Sequence, residues 1–199
     1  MLETSRLILR PLTLEDAGAL LEMLRPEAVH HFLPLFPPQD LEAARTRIRE
    51  VYLEAGAAPG RHRLGIFRKS DGRFLGYLHA EDGDSHDLGY ALGRDYWGRG
   101  YVTEAARRLL EQLRAEGVPF VTATHDRNNP KSGAVMRRLG MRYCYSYREQ
   151  WMPKNIPVVF RMYQLNLADP AAEPYRGYWD RYGEHWVEPG PENSSEEQL

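Results

Sequence analysis

The chain predicts an α/β fold, a mixed sheet with flanking helices, and three observations carry that expectation. Short β-rich apolar runs alternate with amphipathic helical stretches along the whole chain. Leu88-Gly89-Tyr90-Ala91-Leu92 leads through a glycine turn into a helix on which Ala105, Ala106, Leu109, Leu110 and Leu113 recur at helical spacing. A second strand, Pro119 to Thr124, leads into a short helix opened by Asn129 and Pro130 and closed by Gly140.

The elements follow in order. A strand is expected over 5–12, then a helix from about Thr13, where Thr13 and Asp16 have capping-box spacing. His30 to Pro38 reads as an apolar, proline-rich loop. A second helix starts at Asp40, with Leu41, Ala44, Ile48 and Val51 on one side and Gly56 as its stop. Residues 64–68 and 74–80 form a hairpin joined through Ser70-Asp71-Gly72. Strand 88–92, helix 103–116 with Gly117 as its stop, strand 119–124, helix 130–139 and strands near 142–151 and 158–167 complete the domain.

Composition bounds the function. With 199 residues and 42% hydrophobic content, one domain plus a tail is the simplest organisation, divided here into 1–167 and 168–199. A net charge of −2 argues against nucleic acid as a partner, and Arg107-Arg108 and Arg137-Arg138 read as solvated helix faces. The single Cys144 excludes an internal disulfide and fits a reducing compartment, so a cytoplasmic location is expected. No apolar run approaches the ~20 residues that span a bilayer, and no membrane partner is expected. Neither CxxC nor HExxH occurs, and His30-His31 are adjacent rather than on one helical face, so no metal site is expected. No repeat of fixed period is apparent.

Tyr96-Trp97-Gly98-Arg99-Gly100-Tyr101-Val102-Thr103 is the stretch richest in chemistry. Its glycines let backbone approach a ligand, and the helix start behind them presents unpaired N–H groups and the positive end of a dipole, a setting for a pyrophosphate. A glycine turn of this kind also joins strand to helix in proteins that bind nothing there.

With the second segment included, the chain resembles the GNAT N-acetyltransferases, in particular the branch acetylating ribosomal-protein N-termini. Leu2 to Leu12 matches that branch's first strand, Leu88-Gly89-Tyr90 and Trp97-Gly98-Arg99-Gly100-Tyr101 its cofactor strand and loop, and Asn129, Ser132, Leu139 and Gly140 its second cofactor segment. The resemblance covers about residues 1 to 167. It implies a mostly antiparallel central sheet whose two middle strands splay to hold acetyl-CoA as co-substrate. It also implies cofactor contacts from Trp97, Gly98, Arg99, Gly100, Tyr101, Val102, Thr103, Asn129 and Ser132, and acetyl transfer to a primary amine of a protein N-terminus or small molecule in a ternary complex. The thioester oxygen would meet a backbone N–H where strand 88–92 parts from strand 119–124, and the His30 to Pro38 loop would wall the acceptor pocket. Val102, where the family often has Gly or Ala, is a departure that adds a branched side chain near the phosphate turn and bears on cofactor affinity rather than on the fold.

The acceptor must lose a proton before attack, and Glu81, Asp82, His86, Asp87 and His125 are candidates. Asp87 stands where the resembled branch often has an acidic residue, and His125 ends the adjacent strand; the whole stretch 81–87 also reads as an ordinary solvated hairpin. Many family members protonate the leaving thiolate with a Tyr where this chain has Met136, leaving Ser132, Tyr143 or solvent. Ser132 equally suits first-turn capping. The tail from Asp169 carries Tyr175, Tyr178, Trp179, Tyr182 and Trp186, expected to dock on the domain or on a second subunit of a homodimer, and only the final ten or so residues look disordered. A non-catalytic acyl-CoA-binding module of the same fold is the alternative function; an unrelated nucleotide-binding α/β protein is disfavoured because GxxxxGK[ST] and GxGxxG with its acidic partner are missing.

Overall fold

The computed structural model describes residues 1–54 and 58–190. The expected helix stop at Gly56 and the end of the acidic tail from residue 191 onward lie outside the described residues.

The chain folds into two antiparallel sheets with helices on both sides. Strands β1 (Leu2–Glu3), β2 (Leu7–Arg10), β3 (His62–Arg68), β4 (Phe74–Ala80) and β5 (Leu88–Leu92) form the first sheet in that order. The second has the order β6-β8-β7-β9, from β6 (Phe120–Asp126), β7 (Arg142–Trp151), β8 (Ile156–Asn166) and β9 (His185–Trp186). Among the described residues a single parallel bridge, Asp87 to Thr122, joins the sheets at the start of β5 and β6. The expected splay between two central strands is therefore present, with the junction at one end.

Helices α1 (Ala17–Leu24), α2 (Glu27–His30) and α3 (Leu41–Ile48) cover one face of the first sheet. Asp40 caps α3 by accepting from the Ala43 N–H at 2.8 Å, as its sequence position predicts. Thr13 and Asp16 form the expected capping box, but the turn they open, Leu14–Asp16, is 3₁₀ before α1 begins. The opposite face is covered by α4 (Tyr101–Ala115) and α5 (Pro130–Arg138). On α4 the small side chains of Ala105 and Ala106, fully buried with Leu109 and Leu113, let the helix lie close to Leu7, Leu9 and Leu78.

Helix α4 is also tied to the N-terminus through one carboxylate. Glu104 accepts from Thr4 Oγ1 at 2.5 Å, from the Arg6 N–H at 3.0 Å and from Arg6 Nε at 2.6 Å. Burial opposes ionisation, but these hydrogen bonds and the Arg6 charge outweigh it and hold the carboxyl below its ordinary value.

The C-terminal segment packs on its own domain rather than standing apart. Strand β9 pairs with β7, α6 (Gly177–Arg181) lies over the face of Tyr145 and Tyr147, and Glu188 accepts from Arg161 Nη2 at 2.6 Å and Ser146 Oγ at 2.7 Å. At the other end of the second sheet, Lys154 donates to the carbonyls of His30 and His31 at 2.6 and 2.7 Å, fastening the β7–β8 hairpin to the end of α2.

Because the Glu104 carboxyl is depressed in the folded state, its contribution is full above the ordinary glutamate range and fades as pH falls through the folded value. Glu104→Ala should cost about 2 kcal/mol at neutral pH. Denaturant titrations of parent and variant should show that gap shrinking as the pH is lowered below about 4.5.

Candidate active site

Helix α4 begins at a left-handed glycine. Gly98 and Gly100 have φ of 72° and 75°, a region that favours glycine, and Gly100 occupies the N-cap position. Glu104 N–H bonds to the Gly100 carbonyl at 3.0 Å, whereas among the described residues the N–H groups from Gly98 to Thr103 have no protein acceptor. A Cβ built on Gly98 would meet nothing within 4 Å, so the turn faces open space. The Trp97 indole donates to the Leu92 carbonyl at 2.9 Å and anchors the turn to the end of β5, with Lys131 Nζ 5.9 Å from the ring centre. Arg99 is exposed, and its carbonyl accepts from Arg6.

Tyr101 and Val102 turn inward instead. Each is only 8% exposed and part of the core, so the branched side chain of Val102, the departure noted in the sequence, packs inward behind the turn. At these two positions only the backbone is available to a ligand there.

The splay exposes backbone as well. Glu81 N–H donates to the Asp87 carbonyl and Gly93 N–H to the Leu75 carbonyl, so odd residues of β5 bond to β4, while the His86 carbonyl faces β6 and accepts from Thr122. Strand alternation therefore turns the N–H groups of Tyr90 and Leu92 toward the gap beyond the bridge.

Side chains divide between the two faces. On the α4/α5 face, Tyr90 Oη lies 2.9 Å from the Ser132 carbonyl and 3.0 Å from Ser132 Oγ, linking β5 to the first turn of α5; burial pushes this phenol above its ordinary pKa. Asn129 accepts from the Ser132 N–H at 3.4 Å, the capping role read from sequence. Met136 is 1% exposed and belongs to the core. His125 lies on this face too, 3% exposed beneath α5, where a Cβ on Gly133 would stand 2.7 Å from its Nε2. Its Nδ1 is 2.8 Å from the Asp126 carbonyl, and burial, with the nearby Arg161 and Arg137 charges, lowers its pKa to about 4. Tyr143 bonds to Ser146 and accepts from the Glu188 N–H at 3.0 Å, engaged with the C-terminal segment rather than α5.

Asp87 occupies the other face. Its carboxylate is 3.7 Å from His79 Nε2, and the His79 ring lies over Gly89, so close that a Cβ there would collide with it. Glu81 is paired to Arg63 at 2.8 Å, and Arg63 also donates to the Val51 carbonyl. Of the remaining candidates, Asp82 pairs with Arg61 at 2.7 Å and His86 packs edge-on against Phe120. Asp87 and His125 thus line one cleft from opposite faces of the sheets. Sequence reasoning missed His79, which the β4–β5 register sets opposite Gly89, and missed Tyr147 and Glu149; Tyr178 and Tyr182, read there only as docking residues, line the same cleft. Glu149 has its pKa raised by burial, which outweighs a hydrogen bond from Tyr182.

One cleft of about 1880 Å³ connects these parts, reaching from Gly98, Gly100 and Thr103 past Tyr90 and Ser132 to Asp87 and His79. Among the described residues no group of three or more His, Cys, Asp or Glu is placed to hold a metal ion, and no helix is long and apolar enough to cross a membrane.

Comparison with known proteins agrees with this geometry. An uncharacterised N-acetyltransferase of Bacillus licheniformis is 31% identical over 118 residues, 55% of this chain, and the match spans 64% of that relative's length. A candidate ribosomal-protein-serine acetyltransferase from Vibrio cholerae superposes with a TM-score of 0.70 at 21% identity, covering 83% of this chain and 96% of its own. A microcin self-immunity acetyltransferase, solved with acetyl-CoA and AMP, superposes with a TM-score of 0.71 at 18% identity, covering 82% and 93%. These structures share the fold. The profile described as the acetyltransferase (GNAT) domain matches residues 6–142, and the chain belongs to that family.

Proposed function

We propose that this protein transfers an acetyl group from acetyl-CoA to a primary amine, of a protein N-terminus or a small molecule, by direct attack within a ternary complex. The observation that carries this reading is the continuous cleft joining unpaired backbone donors at the start of α4 to Asp87 on the far side of the splay.

The residues fit the co-substrate. The N–H groups from Gly98 to Thr103 offer a pyrophosphate site at a helix N-terminus, with Arg99 and Lys131 adding positive charge. Acetyl-CoA supplies an acyl group already activated as a thioester. The Tyr90 and Leu92 N–H groups, directed into the gap, stabilise negative charge developing on the thioester oxygen. Asp87, beside His79, takes the proton from the incoming amine, directly or through water; an α-amine near pKa 8 needs only modest help. Ser132 Oγ, coupled to the neutral Tyr90 phenol, is the proton source for the departing thiolate in place of the tyrosine that Met136 replaces. His125 we assign to packing, since its ring is sealed under Gly133 on the opposite face from Asp87.

The buried Met136 favours a second reading, a module that binds acyl-CoA without turning it over. Thiol release from acetyl-CoA over a panel of amines separates the two, because cofactor binding with no release on any amine leaves only the module.

Gly100→Val forces a β-branched residue into a left-handed conformation, although the nearest atom to its Cβ, Arg6 Nη2, is 3.7 Å away. Acetyl-CoA affinity should fall at least tenfold, ~1.4 kcal/mol, with the domain still folded. Unchanged affinity by calorimetry would remove the turn from the site.

Asp87→Asn should lower the rate roughly 10²-fold near neutral pH, with the deficit narrowing as the pH approaches the amine's own pKa. His125→Gln should instead give a pH–rate profile parallel to the parent's over roughly pH 6 to 9, because a group with a pKa of about 4 does not titrate there. A parallel profile for Asp87→Asn would exclude it as the base.

A further inference from the structure

The C-terminal segment forms one wall of the cleft on the Asp87 side. Tyr178 and Tyr182, four residues apart at α6, both stack on Tyr147 of β7, with centroid distances of 5.2 and 4.9 Å and interplanar angles of 14° and 8°. Tyr178 on α6 and Tyr182 at its C-cap thus both lay a ring against Tyr147. Phe160, paired with Tyr147 across β8, extends this aromatic surface, and Trp151 closes it beneath the Lys154 clasp.

Charge in this chamber is unevenly distributed. Glu149 lies on the same face as Tyr147 and within electrostatic reach of Tyr182, and Asp87 is within electrostatic reach of Tyr147 and Tyr178. Among the described residues neither carboxylate is in an ion pair with Lys or Arg; Arg181, within electrostatic reach of Glu149, is exposed at the rim. The cations that line this side of the cleft are otherwise occupied or distant. Arg63 is held by Glu81, Arg161 by Glu188, and Arg47 sits on α3 near Tyr52 and Tyr77. Aromatic faces beside uncompensated carboxylates attract an ammonium group through cation–π and Coulomb forces together, and repel an anion.

We propose that Tyr178, Tyr182 and Glu149 form an acceptor subsite that selects an amine carrying a second positive charge, the reacting nitrogen lying at Asp87 and the second ammonium against the tyrosines near Glu149. This rests on the acetyltransfer reading above and adds the class of acceptor. Tyr178 and Tyr182 come from the C-terminal extension and Glu149 from β7, all beyond the residues that the family profile matches.

The test compares three acceptors of matched length on the intact protein: an α,ω-diamine, the alkyl monoamine, and the ω-amino acid, which would instead engage Arg47. Each is followed by thiol release from acetyl-CoA and by calorimetric binding to the coenzyme A-loaded protein, so that slow turnover does not obscure the ranking. The diamine should exceed the monoamine at least about tenfold in kcat/KM, or in affinity, with the ω-amino acid last. Glu149→Gln and Tyr182→Phe, each checked by thermal melt, should bring the diamine-to-monoamine ratio down severalfold, mainly through KM. Equal or better use of the monoamine or the ω-amino acid, or a ratio unmoved in both variants, overturns the subsite while leaving acetyl transfer standing. Failure of the parent protein to bind acetyl-CoA in the same calorimeter overturns both.

Discussion

The molecule depends on one junction. Asp87 and Thr122 form the one parallel bridge among the described residues between two otherwise antiparallel sheets, reinforced by Thr122 Oγ1 donating to the Ser85 carbonyl at 2.9 Å. Had β5 and β6 paired along their length, the N–H groups of Tyr90 and Leu92 would be consumed by the sheet. Parting the strands leaves those donors facing a gap, and a buried unpaired backbone group is costly unless something satisfies it. The structure moderates this cost where it can. Trp97 satisfies the Leu92 carbonyl, and the Tyr90 hydroxyl spans from β5 to the first turn of α5.

The parting also creates two chemically different sides. Toward α4 and α5 the cleft offers backbone donors and Lys131, the side on which we propose the pyrophosphate binds. Toward α3 and α6 it offers Asp87, Glu149 and tyrosine rings, suited to a cation. Helix α4 can serve stability and the proposed binding together because the two fall on different atoms. Tyr101, Val102, Ala105 and Ala106 commit side chains to the core, while the N–H groups of the first turn remain free. A small or branched residue at position 102 is therefore a matter of core packing, and its effect on a phosphate is carried only by backbone.

The C-terminal extension shows how a short segment acquires structure from its surroundings. Helix α6 is too short to be stable alone. It is held by the ring stack on Tyr147, by β9 pairing with β7, and by Glu188 bound to Arg161, whose hydrogen bonds together with that from Ser146 outweigh burial and keep the carboxyl below its ordinary range. The segment thereby becomes a wall of the cleft rather than an appendage.

Local patterns made much of the fold legible. Strand 88–92, the helix opened by Asn129 and Pro130, the cap at Asp40 and the glycine turn before α4 were all visible in sequence, because each is set by interactions spanning a few residues. Helix α4 starts at Tyr101, two residues earlier than the expected 103, with Gly100 at the N-cap and Tyr101 and Val102 drawn into the core. What sequence could not assign was the face of each side chain across separate strands. Asp87 and His125 looked equivalent as candidates at adjoining strands, yet register puts His125 with Arg161 under α5 and leaves Asp87 beside His79. His79 gained meaning only from its position opposite Gly89, and Tyr178 and Tyr182 only from meeting Tyr147. Capping, turns and periodicity are short-range and so reside in the chain itself. Which polar groups share a cavity is decided by strand pairing between distant segments, and only the assembled sheets determine it.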